Sequence, residues 1–308
     1  MSARHDSYRG LRETYEEESR HPIEAGNVRE IASHPVVSVA QTTPILNVIE
    51  TMTARGFRRI VVVSPGNMVF RGLVSDIDIL RYLGGEGMVL IRKKYKGNLM
   101  SALNSPVNRI MRRGIKPLKE STPIDKALEI MMKTKRGGYP IVDSENYVTG
   151  IVTLRDVITK LSYNLPDVTI NEFMSTDVLT IPSTRTFKHA IESMLKYGFR
   201  RLPVVEEERP IGVISSRGII KFIGGKKIFK ISNGWLLSGF LSIPVTEAMH
   251  SDYIIATPES NLINVVEDMK RSGWGSVFIL GPRERLVGLL TEYDVFKLIY
   301  KKISAENE

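Results

Sequence analysis

Three times in this 308-residue chain a Gly and two apolar residues lead into a Ser or Thr that is followed three residues later by Asp: Ser75 and Asp78, Thr153 and Asp156, Thr291 and Asp294. Each pair precedes a helix-like run. A hydroxyl residue that opens a helix stands beside free backbone N–H groups, which favour an anion. An Asp on that same turn can accept two hydroxyl hydrogen bonds, as a sugar diol supplies. The same spacing is also a capping box, which only stabilises the helix. On spacing alone, the capping reading comes first. A second set of chemistry-bearing residues is the pairs Arg58-Arg59 and Arg200-Arg201. A guanidinium fork suits phosphate because it binds two oxygens at once. The alternative for these pairs is a solvated charge at the start of a strand.

Other chemistries are poorly supplied. The chain has no cysteine, so disulfides, thiolate metal sites and cysteine nucleophiles are excluded. The five His, at 5, 21, 34, 189 and 250, are not spaced as a metal pair on a helix. There is no Walker loop and no Gly-x-Ser-x-Gly elbow. The reading is therefore not an enzyme, with no metal and no required cofactor.

The elements that must position these residues form a repeat. Gly72-Leu73-Val74-Ser75 recurs as Gly150-Ile151-Val152-Thr153, Gly212-Val213-Ile214-Ser215 and Gly288-Leu289-Leu290-Thr291, at spacings of 78, 62 and 76 residues. Long, short, long pairs the first unit with the second and the third with the fourth. The extra residues within each pair also match: Gly84-Gly85 leads to Pro106-Val107, and Gly224-Gly225 leads to Pro244-Val245. The expected boundaries are a tail at 1–26, units at 27–85, 106–165, 166–225 and 243–303, and connections at 86–105 and 226–242.

In unit two, residues 115–118 read as an extended piece. Thr122-Pro123 then predicts a helix start, with Thr122 as N-cap and Asp125 completing a capping box. Gly137-Gly138 is expected to end that helix. A hairpin of 139–142 and 147–152 follows, then a helix over 156–161. A β-α-β-β-α unit leaves one sheet face open, so units should pair through it. The fold class is α/β (α+β): four such units in two pseudo-two-fold modules, which could form one disc.

With these motifs in place, the chain resembles the CBS domains, regulatory modules named after cystathionine beta-synthase. The resemblance rests on Phe199-Arg200-Arg201-Leu202-Pro203-Val204-Val205, on Gly150-Ile151-Val152-Thr153-Leu154-Arg155-Asp156, and on Met111, Met174 and Met249 in the segments leading into units. It covers about residues 27 to 303. Such pairs are similar to those of the AMP-activated kinase gamma subunit and inosine monophosphate dehydrogenase. The resemblance implies clefts for AMP, ADP or ATP, with S-adenosylmethionine less favoured. It also implies Asp on ribose, Ser/Thr near phosphate and basic residues on phosphate. In that context the sugar-binding reading overtakes the capping one.

The best-equipped clefts are then expected to combine Thr153 and Asp156 with Arg58 and Arg59, and Thr291 and Asp294 with Arg200 and Arg201. Ser75 and Asp78 rank third, because Gly137-Gly138 brings no charge. Unit three has Gly218 where the Asp should be and is expected to bind no nucleotide in the usual pose. Tyr139-Pro140 is a candidate for the adenine pocket, with a core role for Tyr139 as the alternative; Thr180 is a weaker candidate of the same kind.

The net charge of +9 is unevenly placed. From Arg81 to Lys119 there are ten Lys/Arg and one acid, so this window carries as much net charge as the whole chain. Arg92, Lys93, Lys94, Lys96, Arg112 and Arg113 are thus candidates for contact with nucleic acid. A solvated connection is the plainer reading. No 18-residue apolar run or signal core appears, so the expectation is a soluble cytoplasmic protein, monomer or homodimer, with no membrane partner. The first functional expectation is an adenine-nucleotide sensor acting on an unidentified protein. The second is an RNA- or ribosome-binding regulator.

Overall fold

A computed structural model describes residues 26–231 and 235–306. All but the last residue of the expected tail, 1–26, lies outside the described residues. Four three-stranded sheets are present, and in each the first strand pairs parallel with the second and the second antiparallel with the third. In unit one the strands are Ser38–Ala40, Arg59–Val63 and Phe70–Ser75, with helices Ile45–Arg55 and Asp76–Gly84. Each hairpin carries a one-residue register shift at the same place, between Val62 and Val63 in unit one and between Ile141 and Val142 in unit two.

Unit two departs locally from its sequence reading. Its first helix is Ile124–Thr134, with Pro123 rather than Thr122 as N-cap and no side-chain cap. The backbone explains this. Val28 N–H donates to the Thr122 carbonyl (2.8 Å) and Ile124 N–H donates to that of Gly26 (3.1 Å). The segment leading into unit one therefore holds this helix start, and Asp125 is left in the first turn without a capping role. The helix ends before Gly137-Gly138, with Lys135 in the left-handed region at φ 53°. Gly138 instead opens the strand Gly138–Val142.

Strand alternation sends side chains to two cores. In unit one Ile60, Val62 and Val74 join a core with unit three, whereas Val61, Val63 and Leu73 join one with unit two. The first core is made by the helices of units one and three, through Ile45, Ile49, Ile79, Leu83, Phe187 and Ile191. The second combines units two and four, through Leu128, Val157, Val266 and Phe296. Units therefore pair one with two and three with four through their sheets, and one with three and two with four through their helices. The two modules close on each other within one chain.

Leading segments fix the sheet pairs. Each crosses to the third strand of its partner unit, giving bridges Ser33–Ile151, Leu73–Arg112, Ser175–Leu289 and Val213–His250. The Met at its end lies against the partner's Gly. A Cβ on Gly72 would sit 3.2 Å from the Met111 sulfur, and one on Gly212 would sit 3.1 Å from that of Met249. Met174 meets Gly288 in the same way, and His34 takes this place against Gly150. The matching connections also meet: Leu99 N–H donates to Trp235 O and Leu237 N–H to Gly97 O, both at 2.8 Å.

Gly84 and Gly224, legible in the sequence only as matched landmarks, lie where the modules pack tightly against each other. A Cβ on Gly84 would lie 2.6 Å from Ile191 Cγ2, and one on Gly224 would overlap Thr53. Gly84→Ala should therefore destabilise the fold by about 1–3 kcal/mol through overpacking. Ile191→Ala alone should destabilise by about 2–5 kcal/mol. Together they should cost less than the sum, because the second change removes the clash of the first. Denaturant unfolding of the two single variants and the double variant measures this, and strict additivity would contradict the crossing.

Candidate functional site

The three Ser/Thr–Asp pairs sit where the sequence placed them, each at the junction of a third strand and a last helix. The capping contacts are made, through one carboxylate oxygen in each pair. Asp78 Oδ2 accepts from Ser75 N–H (3.0 Å) and from its hydroxyl (2.6 Å). Asp156 Oδ2 does the same with Thr153 (2.7 and 2.6 Å), and Asp294 Oδ2 with Thr291 (3.0 and 2.7 Å). The cap thus uses one oxygen and locks the carboxylate's orientation. The other oxygen is not used by the cap. Asp78 Oδ1 meets Arg112 (2.5 Å) and Arg81 (3.1 Å), Asp156 Oδ1 meets the Ser33 hydroxyl (2.6 Å), and Asp294 Oδ1 meets Lys297 (2.8 Å).

All three pairs open onto one cavity of about 960 Å³. Arg58, Arg59, Arg200 and Arg201 line it, together with Arg155 and Arg217. Tyr139 and Pro140 do not. Tyr139 is 3% exposed and donates to the Thr134 hydroxyl (2.7 Å), so it belongs to the core. Thr180 is also off the wall. The leading segments supply part of the apolar lining, as Val36 and Val37, Ile115, and Val178 and Leu179, and Phe57, Ile151, Leu154 and Phe199 supply more.

Carboxylates that the sequence reading passed over hold the arginines in place. The residue just after each Ser/Thr turns towards the centre, and it is Asp76 in unit one and Glu292 in unit four. Arg58 donates twice to Glu292, at 2.6 and 2.8 Å. Arg155 reaches the same carboxylate at 3.3 Å. Arg200 pairs with Asp76, which also accepts from the Ser216 hydroxyl at 2.6 Å. These contacts join unit one to unit four, two to four, and three to one. Burial alone would raise both acids, but the surrounding arginines outweigh it and hold both below the usual carboxylate range. The signal for Asp76 and Glu292 was an acid directly after the Ser/Thr, present in only two of four copies.

Arg59 and Arg201 have no hydrogen-bond or ion-pair partner among the described residues. Burial, and then the neighbouring guanidinium of Arg200 or Arg58 respectively, pushes each down to about 9. They cross to their partner units over glycines. A Cβ on Gly137 would lie 2.8 Å from Arg59 Nη2, and one on Gly275 would overlap Arg201. The alternation of Arg-Arg with Gly-Gly or Gly-Ser is thus steric, since one unit supplies the long side chain and its partner the space.

The basic window does not act as a unit. Arg92, Lys93 and Lys94 are exposed on the helix Met88–Tyr95, which Lys96 ends. Arg113 donates to Asn108 O, whereas Arg112 turns into the cleft of Asp78. The similarities to known proteins give no support to nucleic-acid binding. Among the described residues no group of His, Asp and Glu could hold a metal, and no helix is long and apolar enough to cross a membrane.

Four three-stranded units, paired through their sheets around clefts that open at helix starts, define a tandem-repeat module. The CBS domain model matches residues 28–85, 107–163, 170–225 and 245–301, and the chain belongs to the CBS-domain family. It is 33% identical to protein MJ1225 of Methanocaldococcus jannaschii over 85% of this chain and 94% of that one. The crystal structure of MJ1225, presented as a candidate archaeal homolog of g-AMPK, superposes with a TM-score of 0.82 over 88% of this chain and 99% of that one. An uncharacterized conserved protein from Pyrococcus horikoshii, 19% identical, shares the fold at a TM-score of 0.55 over 89% of this chain and 99% of that one. Inosine-5'-monophosphate dehydrogenase of Aquifex aeolicus is 37% identical over 34% of this chain and 21% of its own length.

The pH dependence of stability follows from the central carboxylates. Their pKa values are lower folded than unfolded, so their contribution is complete above their ordinary values near 4 and is lost as pH falls towards the folded values. Glu292→Gln should lower stability at pH 7 by about 3 kcal/mol, because Arg58 is left buried without its charge partner. It should also flatten the fall in melting temperature below pH 5. A variant curve parallel to that of the natural protein would show that Glu292 does not carry this term.

Proposed function

We propose that the chain binds adenine nucleotides in the large central cavity and reports their presence to a protein partner. The observation that carries this reading is the convergence of three oriented Asp carboxylates and a surplus of arginine on one 960 Å³ space. Asp156 and Asp294 take ribose hydroxyls on the oxygens that their caps do not use. Arg59 and Arg201, which lack protein partners, take phosphate. The apolar residues Val36, Val37, Val178 and Leu179 offer faces for the base. In this reading the clefts of units two and four are the principal sites. The cleft of unit one is third, because Asp78 already holds two arginines that a ribose would have to displace.

Regulation follows from linkage. A phosphate that competes with Glu292 or Asp76 for the central arginines weakens contacts that tie unit to unit. Binding then favours a different arrangement of the modules, and a partner that distinguishes the two arrangements feels the ligand.

Titration calorimetry with AMP, ADP and ATP tests the site. Two sites per chain are expected for at least one of these nucleotides. Asp156→Ala should remove one site and Asp294→Ala the other, each weakening its cleft at least tenfold, as expected for loss of charge-assisted hydrogen bonds. Asp78→Ala should have the smaller effect. Unchanged affinity in both Asp156→Ala and Asp294→Ala would overturn the assignment.

A further inference from the structure

The unit-three cleft is a separate cavity of about 280 Å³. From sequence it is simply the defective copy, with Gly218 in place of Asp. The structure gives a reason beyond the missing carboxylate. A Cβ at position 218 would lie 2.7 Å from the Ala248 carbonyl oxygen, so no ribose-binding side chain fits there without a backbone shift. The cleft is not bland, however. Arg58, Arg200, Arg201, Arg217 and Lys221 line it, with His250 and Trp274, against the single carboxylate of Asp76.

Pairing these charges leaves a clear excess. Arg58 is matched by Glu292 and Arg200 by Asp76. Arg217 donates only to a backbone carbonyl, that of Gly56 at 3.2 Å. Arg201 and Lys221 have no hydrogen-bond or ion-pair partner among the described residues. Three cations therefore face one small space without a direct ion-pair partner among the described residues. Ser215 caps the nine-residue helix Ser216–Gly224, whose N-terminal end opens at the same cleft. Like charges crowded in a half-buried site are held most favourably when an anion lies among them. The volume falls below the range of about 300–1,000 Å³ usual for organic ligands.

We infer that the unit-three cleft binds a small phosphate-type anion, inorganic phosphate or pyrophosphate, in place of a nucleoside. Arg201, Arg217 and Lys221 supply the charge, and the wall of Val213 and Trp274 closes the site. Arg58, Arg200, Arg201 and Arg217 also line the large cavity, so the two cavities share an arginine wall. An anion in the small cavity neutralises guanidiniums that the large cavity would otherwise offer to nucleotide phosphates. Part of this coupling rests on the nucleotide reading above; the anion site does not.

Trp274 is a built-in reporter, because the chain has only one other Trp, at 235. In a Trp235→Phe background, phosphate and pyrophosphate are titrated at constant ionic strength while Trp274 fluorescence is followed. A saturable change is expected with pyrophosphate, and none with chloride. Lys221→Gln, an exposed position, should fold normally by circular dichroism and weaken the response about tenfold or more. It should leave AMP binding intact, since Lys221 is not on the wall of the large cavity. Asp156→Ala and Asp294→Ala should leave the pyrophosphate response intact, which separates this site from the nucleotide sites. No saturable change, or one unaffected by Lys221→Gln, would overturn the inference. A response seen only with ATP and lost in Asp294→Ala would also overturn it, because the arginines would then be serving a nucleotide's own phosphates.

Discussion

Guanidiniums crowded at one point repel each other unless negative charge lies among them, and the four-unit assembly is arranged around that constraint. Arg58, Arg59, Arg200 and Arg201 come from two units that meet through their helices. Among the described residues two carboxylates, Asp76 and Glu292, receive them, and both are shared with further groups, Ser216 and Arg155. The protein therefore satisfies its centre incompletely. The pairs that exist hold the modules together, and the arginines left over define where an anion is wanted. In the proposed function, stability and binding draw on the same charges, so a ligand that neutralised one arginine would change how firmly units are tied elsewhere.

Glycine is the steric partner of this arrangement. Gly137 and Gly275 give room for arginines from across the sheet interface, and Gly84 and Gly224 let helices of opposite modules approach. Gly72, Gly212 and Gly288 receive the methionines that end the leading segments. In each case the missing Cβ is a space filled by a named side chain of another unit. The repeat is thus a set of complementary positions, in which one copy carries bulk where its partner carries none. That complementarity explains why the copies are not interchangeable. Unit three carries Gly218 at a point where the neighbouring backbone leaves no room for a side chain.

Much of the fold was legible in the chain. The recurring Gly–apolar–apolar–Ser/Thr phrase located all four hairpins and last helices, and the long–short–long spacing gave the sheet pairs. The capping boxes formed as expected at Ser75, Thr153 and Thr291. What failed was local and had non-local causes. Thr122 does not cap its helix because a segment almost a hundred residues earlier supplies the backbone partners. Gly137 does not end that helix because its role is to admit Arg59. Tyr139 turns into the core, and the leading segments add Val36, Val37, Val178 and Leu179 to the apolar wall of the cavity.

The sequence by itself determined the unit, its four-fold repetition and the three carboxylates that close the starts of the last helices. All of these depend on spacings of a few residues, which local backbone geometry converts directly into position. Only the tertiary structure decided which arginines face which clefts, that Asp76 and Glu292 hold them, and that three clefts merge while the fourth stands apart. Those outcomes depend on contacts between residues more than a hundred positions apart, such as Arg58 with Glu292. Local spacing carries no record of such distances; the closing of one module on the other does.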